Sequence, residues 1–418
     1  MKLNSTSRVL LSVLGAGALI SPPAIASDNR TFSMAGAGVA NGNYYQAASL
    51  NPALAARYEE RDNFALILPS LRAEAADQDR VFDAIDAFQE TYDRLESLLR
   101  QVEQGGFVSE AQLEQARSQL AQNFTAINGA LVAGVGGQLA LSIPNRFVSA
   151  QLFANADLQV FGAPRLDAND LDIFFNATNI NELDNLASEG YVLGRLTTEF
   201  GAALARTMTF AGRELHLGMT PKIQEIESFT YFSALSDLDE DDFNAREYRR
   251  SNTQFNLDLG LSIPVNERLS AGLVLKNLFA NEVTGQPIYS RQREDLVTLN
   301  YTIKPQLVAG VGYSTKLLSF SFDLDLTKQN YLGLDSQSQQ LIFAQSRKTQ
   351  FVRVGAELDL ARWVQLRFGY RHDLEGSYDD AISAGLGLSP FGRVHFNLSA
   401  VYIDDRSFGA GAQLMFTF

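Results

Sequence analysis

The sequence predicts an all-β protein, a transmembrane antiparallel β-barrel of about 14 strands, with an N-terminal plug segment and a helical hairpin inserted after the first strand. Three observations predict it: a two-residue hydrophobic period carried through segment after segment, an export signal ahead of them, and a regular alternation of short and long connections. Side chains alternate faces along a strand, so a sheet placed between lipid and a wet or packed interior needs one apolar face and one small or polar face.

The period is clearest in Leu318, Phe320, Phe322, Leu324 and Leu326, set against Ser319, Ser321, Asp323, Asp325 and Thr327. It recurs in Leu131–Ile143, Val148–Gln159, Phe255–Ile263, Val364–Arg371 and Arg393–Tyr402, and more weakly near 64–73, 194–209, 213–227, 267–279, 297–313, 349–360 and 379–389. Helices do not keep a period of two over such lengths. In the final segment Phe408, Ala410, Ala412, Leu414, Phe416 and Phe418 share one face, and the aromatic pair Phe416 and Phe418 resembles the sorting signal of outer-membrane barrels.

At the other end, Lys2 and Arg8 precede an apolar run from Val9 to Ile20 and an Ala24-Ile25-Ala26 site, which predicts a signal peptide over 1–26. That run is too short to cross a bilayer as a helix, and no later stretch reaches the roughly 18 apolar residues that would. The tight turns at Pro144-Asn145, Ala211-Gly212, Pro264–Asn266, Thr315-Lys316, Ala361-Arg362 and Pro390–Gly392 alternate with longer segments near 161–193, 228–252, 280–296 and 328–348 and with short links near 373–378 and 403–407. Barrels sort their connections by side in this way, short on the periplasmic side and long on the outer one.

One region departs from the strand pattern. Ile85, Phe88, Tyr92, Leu95, Leu99 and Val102 follow steps of three and four, Gly105-Gly106 breaks the run, and Ser109 with Gln112 forms a capping box ahead of Leu113, Ala116, Leu120, Phe124 and Ile127. This predicts a helical hairpin over 77–128, either a self-packed loop insertion or a partner-binding or lid element.

Composition narrows the chemistry. Of 418 residues 46% are hydrophobic and none is cysteine, so neither a disulfide framework nor thiol chemistry is available. A net charge of -14 argues against direct nucleic-acid binding. Asp237, Asp239 and Asp241 lie in an acidic outer loop with Glu240 and Asp242. They are weak metal candidates, because the loop lacks the glycine and the distant glutamate of a calcium-binding helix-loop-helix, and Arg246, Arg249 and Arg250 follow closely. His216, His372 and His395 sit on separate strands and read as lumen-facing polar residues. No G-x-S-x-G elbow occurs, and the chain is read as a non-enzyme without a cofactor. Arg353, Glu357, Asp359, Arg367 and Arg371 share the inward parity on two adjacent strands, where charges can pair across the wall.

Between the signal peptide and the first strand, residues 27–60 contain Ser33-Met34-Ala35-Gly36-Ala37-Gly38-Val39-Ala40, then Ala47-Ala48-Ser49-Leu50 and Asn51-Pro52-Ala53. Small residues let a backbone fold tightly inside a lumen and Asn-Pro fixes a turn. With Gly36, Gly38, Asn51, Pro52 and Ala53 as its motif, this segment resembles the plug of the FadL-like outer-membrane transporters, ahead of a barrel over 61–418. The whole chain more particularly resembles the barrel-type TraF-like proteins of conjugal transfer. The first resemblance implies passive transport or binding of hydrophobic small molecules at an apolar site between plug and wall. The second implies an outer-membrane conjugation component that acts through surface loops and the hairpin in mating or attachment. The expected partners are outer-membrane lipid and lipopolysaccharide, the barrel assembly machinery, and either a hydrophobic ligand or a conjugation or cell-surface partner.

Overall fold

The structure, a computed structural model, describes residues 28–59, 63–77, 80–183, 185–238, 248–360 and 363–418. The expected signal peptide, the Ala361-Arg362 turn, Asp239, Glu240, Asp241, Asp242 and Arg246 lie outside the described residues.

Fourteen strands close into one antiparallel cylinder in simple sequence order. They are β1 (Ala65–Ala76), β2 (Leu131–Ile143), β3 (Ser149–Arg165), β4 (Glu189–Phe210), β5 (Arg213–Ala234), β6 (Arg249–Pro264), β7 (Leu269–Lys276), β8 (Gln306–Ser314), β9 (Leu318–Asp325), β10 (Phe351–Leu360), β11 (Val364–Asp373), β12 (Ala381–Leu388), β13 (Val394–Asp404) and β14 (Ser407–Thr417). Closure runs between β1 and β14, from Ala65 opposite Thr417 to Ala76 opposite Ser407. Pro69 cannot donate to a ladder, and β1 shifts register around it against both neighbours, which is where a strand tolerates proline.

The expected alternation decides which face meets lipid. On β9, Leu318, Phe320 and Phe322 are 41%, 41% and 39% exposed, while Ser321, Asp323 and Asp325 are each 1% exposed. Phe200, Ile223, Phe255, Phe368, Ile382, Leu398 and Phe408 continue the apolar exterior around the cylinder. A contiguous greasy surface of this extent is a membrane-facing surface.

Connections sort by end. At one rim Phe210 pairs with Arg213 across Ala211 and Gly212, whose φ values of 50° and 75° give the two-residue turn that suits twisted hairpins. At the other rim sit helices α2 (Val81–Glu103), α3 (Glu110–Ala126), α4 (Asp170–Asn176), α5 (Ile180–Leu183) and α6 (Ser336–Phe343); α1 (Asn29–Ser33) precedes them in the N-terminal segment. The seam residues Ile85, Phe88, Tyr92, Leu95 and Leu99 of α2 pack with Ala116, Leu120 and Phe124 of α3 and with Phe174 of α4 in one apolar core. Val102, expected in that seam, is exposed because α2 runs past the start of α3. The Ser109–Gln112 capping box forms in both directions, and Ser109→Ala is expected to destabilise the first turn of α3 by about 1 kcal/mol, read as faster hydrogen exchange there.

Four strand boundaries differ from expectation. A single strand across 297–313 is interrupted at Pro305: β8 starts at Gln306, and Asn300–Ile303 pairs instead with Asn281–Thr284 in a separate two-stranded ribbon that is not part of the barrel sheet. β3, β4 and β5 also extend into segments expected to be loops, reaching Arg165, back to Glu189 and on to Ala234.

Candidate luminal binding site

Residues 28–56 fold inside the cylinder, most of them buried, and contact strands around its wall. Asp28 caps α1 by accepting from Thr31 N at 3.0 Å. Arg30 of α1 then forms a two-pronged pair with Glu357 on β10, Nε to Oε2 at 2.8 Å and Nη2 to Oε1 at 3.0 Å, and donates to Gln46 Oε1 at 2.6 Å. Arg367 on β11 donates to the same Glu357 Oε2 at 2.6 Å, across the register pair Glu357 and Arg367. Burial works against the Arg30 charge, but Glu357 more than restores it and holds its pKa above the ordinary arginine range.

The motif residues have separate jobs. Gly36 donates its N–H to Thr31 O at 2.9 Å at a φ of 88°, turning the chain after α1. Gly38 N and Val39 N both donate to Asp323 Oδ2 on β9, at 2.7 and 3.0 Å. Asn51 accepts from Ala53 N at 3.0 Å, which with Pro52 at the first position starts a short 3₁₀ turn, and its amide donates to Val39 O and to Leu261 O of β6, each at 3.0 Å. The wall opposite this turn is glycine: a Cβ on Gly218 of β5 would collide with the backbone of Pro52 and Ala53, and one on Gly260 of β6 with Asn51 Oδ1. The plug backbone therefore rests directly on the wall backbone.

Above Ala48 and Ser49 of the plug, and beneath the outer residues Ile303, Lys304, Asn330, Leu332, Gly333 and Tyr378, lies a cavity of 190 Å³. It is not the apolar site that the transporter resemblance implies. Five basic side chains line it, Arg72, Arg195, Lys222, Lys276 and Lys304, with four acidic ones, Asp157, Glu199, Asp258 and Asp325. The apolar layer lies further out, where Phe161, Tyr191, Leu193, Phe232, Tyr301 and Tyr331 pack against one another.

Each cavity carboxylate already has a cation. Arg72 holds Asp157, Lys222 holds Glu199 at 2.9 Å and Asp258 at 3.0 Å, and Arg353 grips Asp325 with two bonds of 2.6 and 3.1 Å. Arg195 instead donates to Gln159 Oε1 at 3.0 Å, Lys276 to Ser49 O at 2.5 Å and Lys304 to Asn330 Oδ1 at 3.3 Å. Arg195 reaches across to Gly333, at a φ of 72°, so Gly333→Ala is expected to displace the guanidinium and cost about 1 kcal/mol, read in the unfolding midpoint.

Of the other residues singled out in the sequence, Arg353, Glu357, Arg367 and Arg371 do face inward, but Arg353 pairs with Asp325 and Glu357 with two arginines rather than one. Asp359 accepts from Gln365 at 3.4 Å. His216 and His395 face the lumen, where His395 contacts Ser389 and Thr417, each at 2.7 Å. His372 corrects the expectation: it shares the outward parity of Phe368 and Tyr370 and meets Asp380 at the rim, 2.6 Å away. Asp237 is exposed, and among the described residues no cluster of metal-ligating side chains occurs. Phe418 stacks on Phe64 at 4.6 Å beside the barrel seam.

A closed barrel of fourteen strands with its N-terminal segment folded inside is the architecture of FadL-type hydrocarbon channels. Solved structures with this fold include the monoaromatic hydrocarbon channel CymD (TM-score 0.52, 11% identity, covering 95% of this chain and 98% of that one). The Ralstonia pickettii toluene transporter TbuX (0.51, 12%, 94% and 98%) and a Pseudomonas aeruginosa FadL homologue (0.51, 11%, 96% and 99%) are similar to the same degree. The family model described as F plasmid transfer operon, TraF, protein matches residues 48–325, and the chain belongs to that family. Comparison with curated proteins gives no match.

Proposed function

We propose that this protein is an outer-membrane barrel that binds small molecules in its lumen and lets them pass without an energy source. The observation that carries the reading is the cavity held inside the cylinder between plug and outer residues, beneath the aromatic layer. The apolar exterior supports insertion in the outer membrane after cleavage near Ala26, with lipid and lipopolysaccharide against the wall and the barrel assembly machinery engaging the last strand through Phe416 and Phe418. Hydrophobic cargo is supported by the fold likeness; the lining of the cavity supports a polar one. The reading calls for no catalysis.

The test is entry of labelled small solutes, toluene and succinate among them, into liposomes carrying the folded protein. Faster entry than into empty liposomes is expected for at least one class. Permeability equal to empty liposomes for both would end the transport reading.

Family membership favours a second reading, in which the hairpin acts at the cell surface in conjugation. Its own apolar core supports a rigid presented element. Removing 77–128 from a barrel that still assembles would then lower mating frequency; an unchanged frequency would exclude this role.

A further inference from the structure

We propose that the luminal cavity is a binding site for a small hydrophilic oxyanion, a carboxylate or phosphate group on a solute without an apolar tail. The inference rests on the reading of the lumen as a small-molecule path and names what that path selects.

Charge is the first ground. Although the chain carries a net charge of -14, basic groups outnumber acidic ones around this cavity. The acidic ones are spoken for: Asp157 lies near Arg195 but is held by Arg72, and Asp258 and Glu199 lie near Lys276 but are held by Lys222. Arg195, Lys276 and Lys304 are left with only neutral oxygen partners among the described residues. Holding a half-buried cation without a direct counter-charge is costly, so Arg195 and Lys276, with the exposed Lys304 beside them, favour an anion joining them.

Unused hydrogen-bonding atoms are the second ground. Gln159, 3% exposed, spends its carbonyl on Arg195 and leaves Nε2 without an acceptor. Asn330, 8% exposed, spends its carbonyl on Lys304 and leaves Nδ2 likewise. Arg195 Nε is a third unused donor. In both amides the oxygen is turned to a cation, and all three residues with a spare N–H line the same space, where small side-chain shifts would offer those donors to oxygen atoms. Asn155 Oδ1, Asp157 Oδ1 and Thr197 Oγ1 are also unused in residues lining the cavity and would take hydrogens from bound water.

Size is the third ground. At 190 Å³ the cavity falls below the roughly 300–1,000 Å³ of drug-sized ligand clefts, which suits a small dicarboxylic acid better than a long chain. The nearest apolar volume is already filled by packed aromatic rings.

The test is equilibrium dialysis of labelled succinate against the full chain purified in neutral detergent, with sodium phosphate, succinamide and oleate as competitors. Saturable succinate binding is expected, displaced by phosphate if the site reads any oxyanion and resisted by phosphate if it requires carboxylates. Succinamide should not compete. Arg195→Gln and Lys304→Gln should each weaken binding at least tenfold. Lys304 lies outside the strands, so its variant keeps the test valid if Arg195→Gln fails to assemble. Absence of saturable binding by both succinate and phosphate, equal competition by succinamide, tighter binding of oleate, or unchanged affinity in a folded Lys304→Gln protein would each overturn the proposal. Because binding is read in detergent, anion binding without liposome entry would keep the site and remove transport, and entry without anion binding would do the reverse.

Discussion

Glu357→Ala is expected to destabilise the folded barrel by about 3–5 kcal/mol, the cost of leaving buried charge without its partner. Two guanidiniums converge on this one carboxylate: Arg30 from the plug and Arg367 from the neighbouring strand. Both are nearly inaccessible, so water cannot replace the lost oxygens. Arg367 keeps Asn397 as an acceptor at 2.7 Å and Arg30 keeps Gln46, which limits the damage to the charge itself. Glu357→Gln should be milder, since it preserves one acceptor and removes only the charge. The urea midpoint of the barrel and the protease resistance of residues 28–59 should fall together. A change below about 0.5 kcal/mol would mean that the triad is bystander chemistry.

Gly218→Val is expected to unseat the plug and leave the wall standing. Its side chain would occupy the place of the Pro52–Ala53 backbone, and that backbone cannot step aside while Asn51 is tied both to Val39 and to Leu261 of the wall. Overpacking a rigid site costs about 1–3 kcal/mol or more, and releasing the plug is the cheapest relief because no ladder bond of the cylinder need break. Gly260→Val should act alike through Asn51. The measurement is single-channel conductance in a planar bilayer, which should rise severalfold with strand content by circular dichroism unchanged. Unaltered conductance in a protein of normal strand content would show that the plug is not held at these glycines.

Much of this architecture is legible in the chain because barrel physics is local. Each strand announces itself through its own two-residue period, the Ala211-Gly212 turn through its left-handed pair, and the Asn51-Pro52 turn through a cap that closes within two residues. The failures are local too. Pro305 stops a strand inside an apolar stretch that the two-residue period alone carries across, and the polarity of His372 points to the lumen although its strand parity sets it beside Phe368 and Tyr370.

The cavity was invisible for a different reason. Parity says that Arg195, Lys276 and Arg353 point inward, but not which inward groups meet across an interior fed from every strand. Lys276 finds its acceptor 227 positions earlier in the chain, and Arg30 finds Glu357 at a separation of 327. Only closure of the cylinder fixes those encounters, and no motif marks them.

β4 and β5 each run 22 residues, whereas β12 has 8. At about 3.3 Å per residue and a tilt near 45°, the longer pair climbs roughly 50 Å, against a hydrocarbon slab of about 30 Å. The rim is thus a parapet on one flank and nearly level with the headgroups on the other. Phe107, at the tip of the hairpin and 89% exposed, crowns this lopsided profile. Antibodies, phages or neighbouring cells approaching from the medium would encounter that raised flank before any part of the pore mouth.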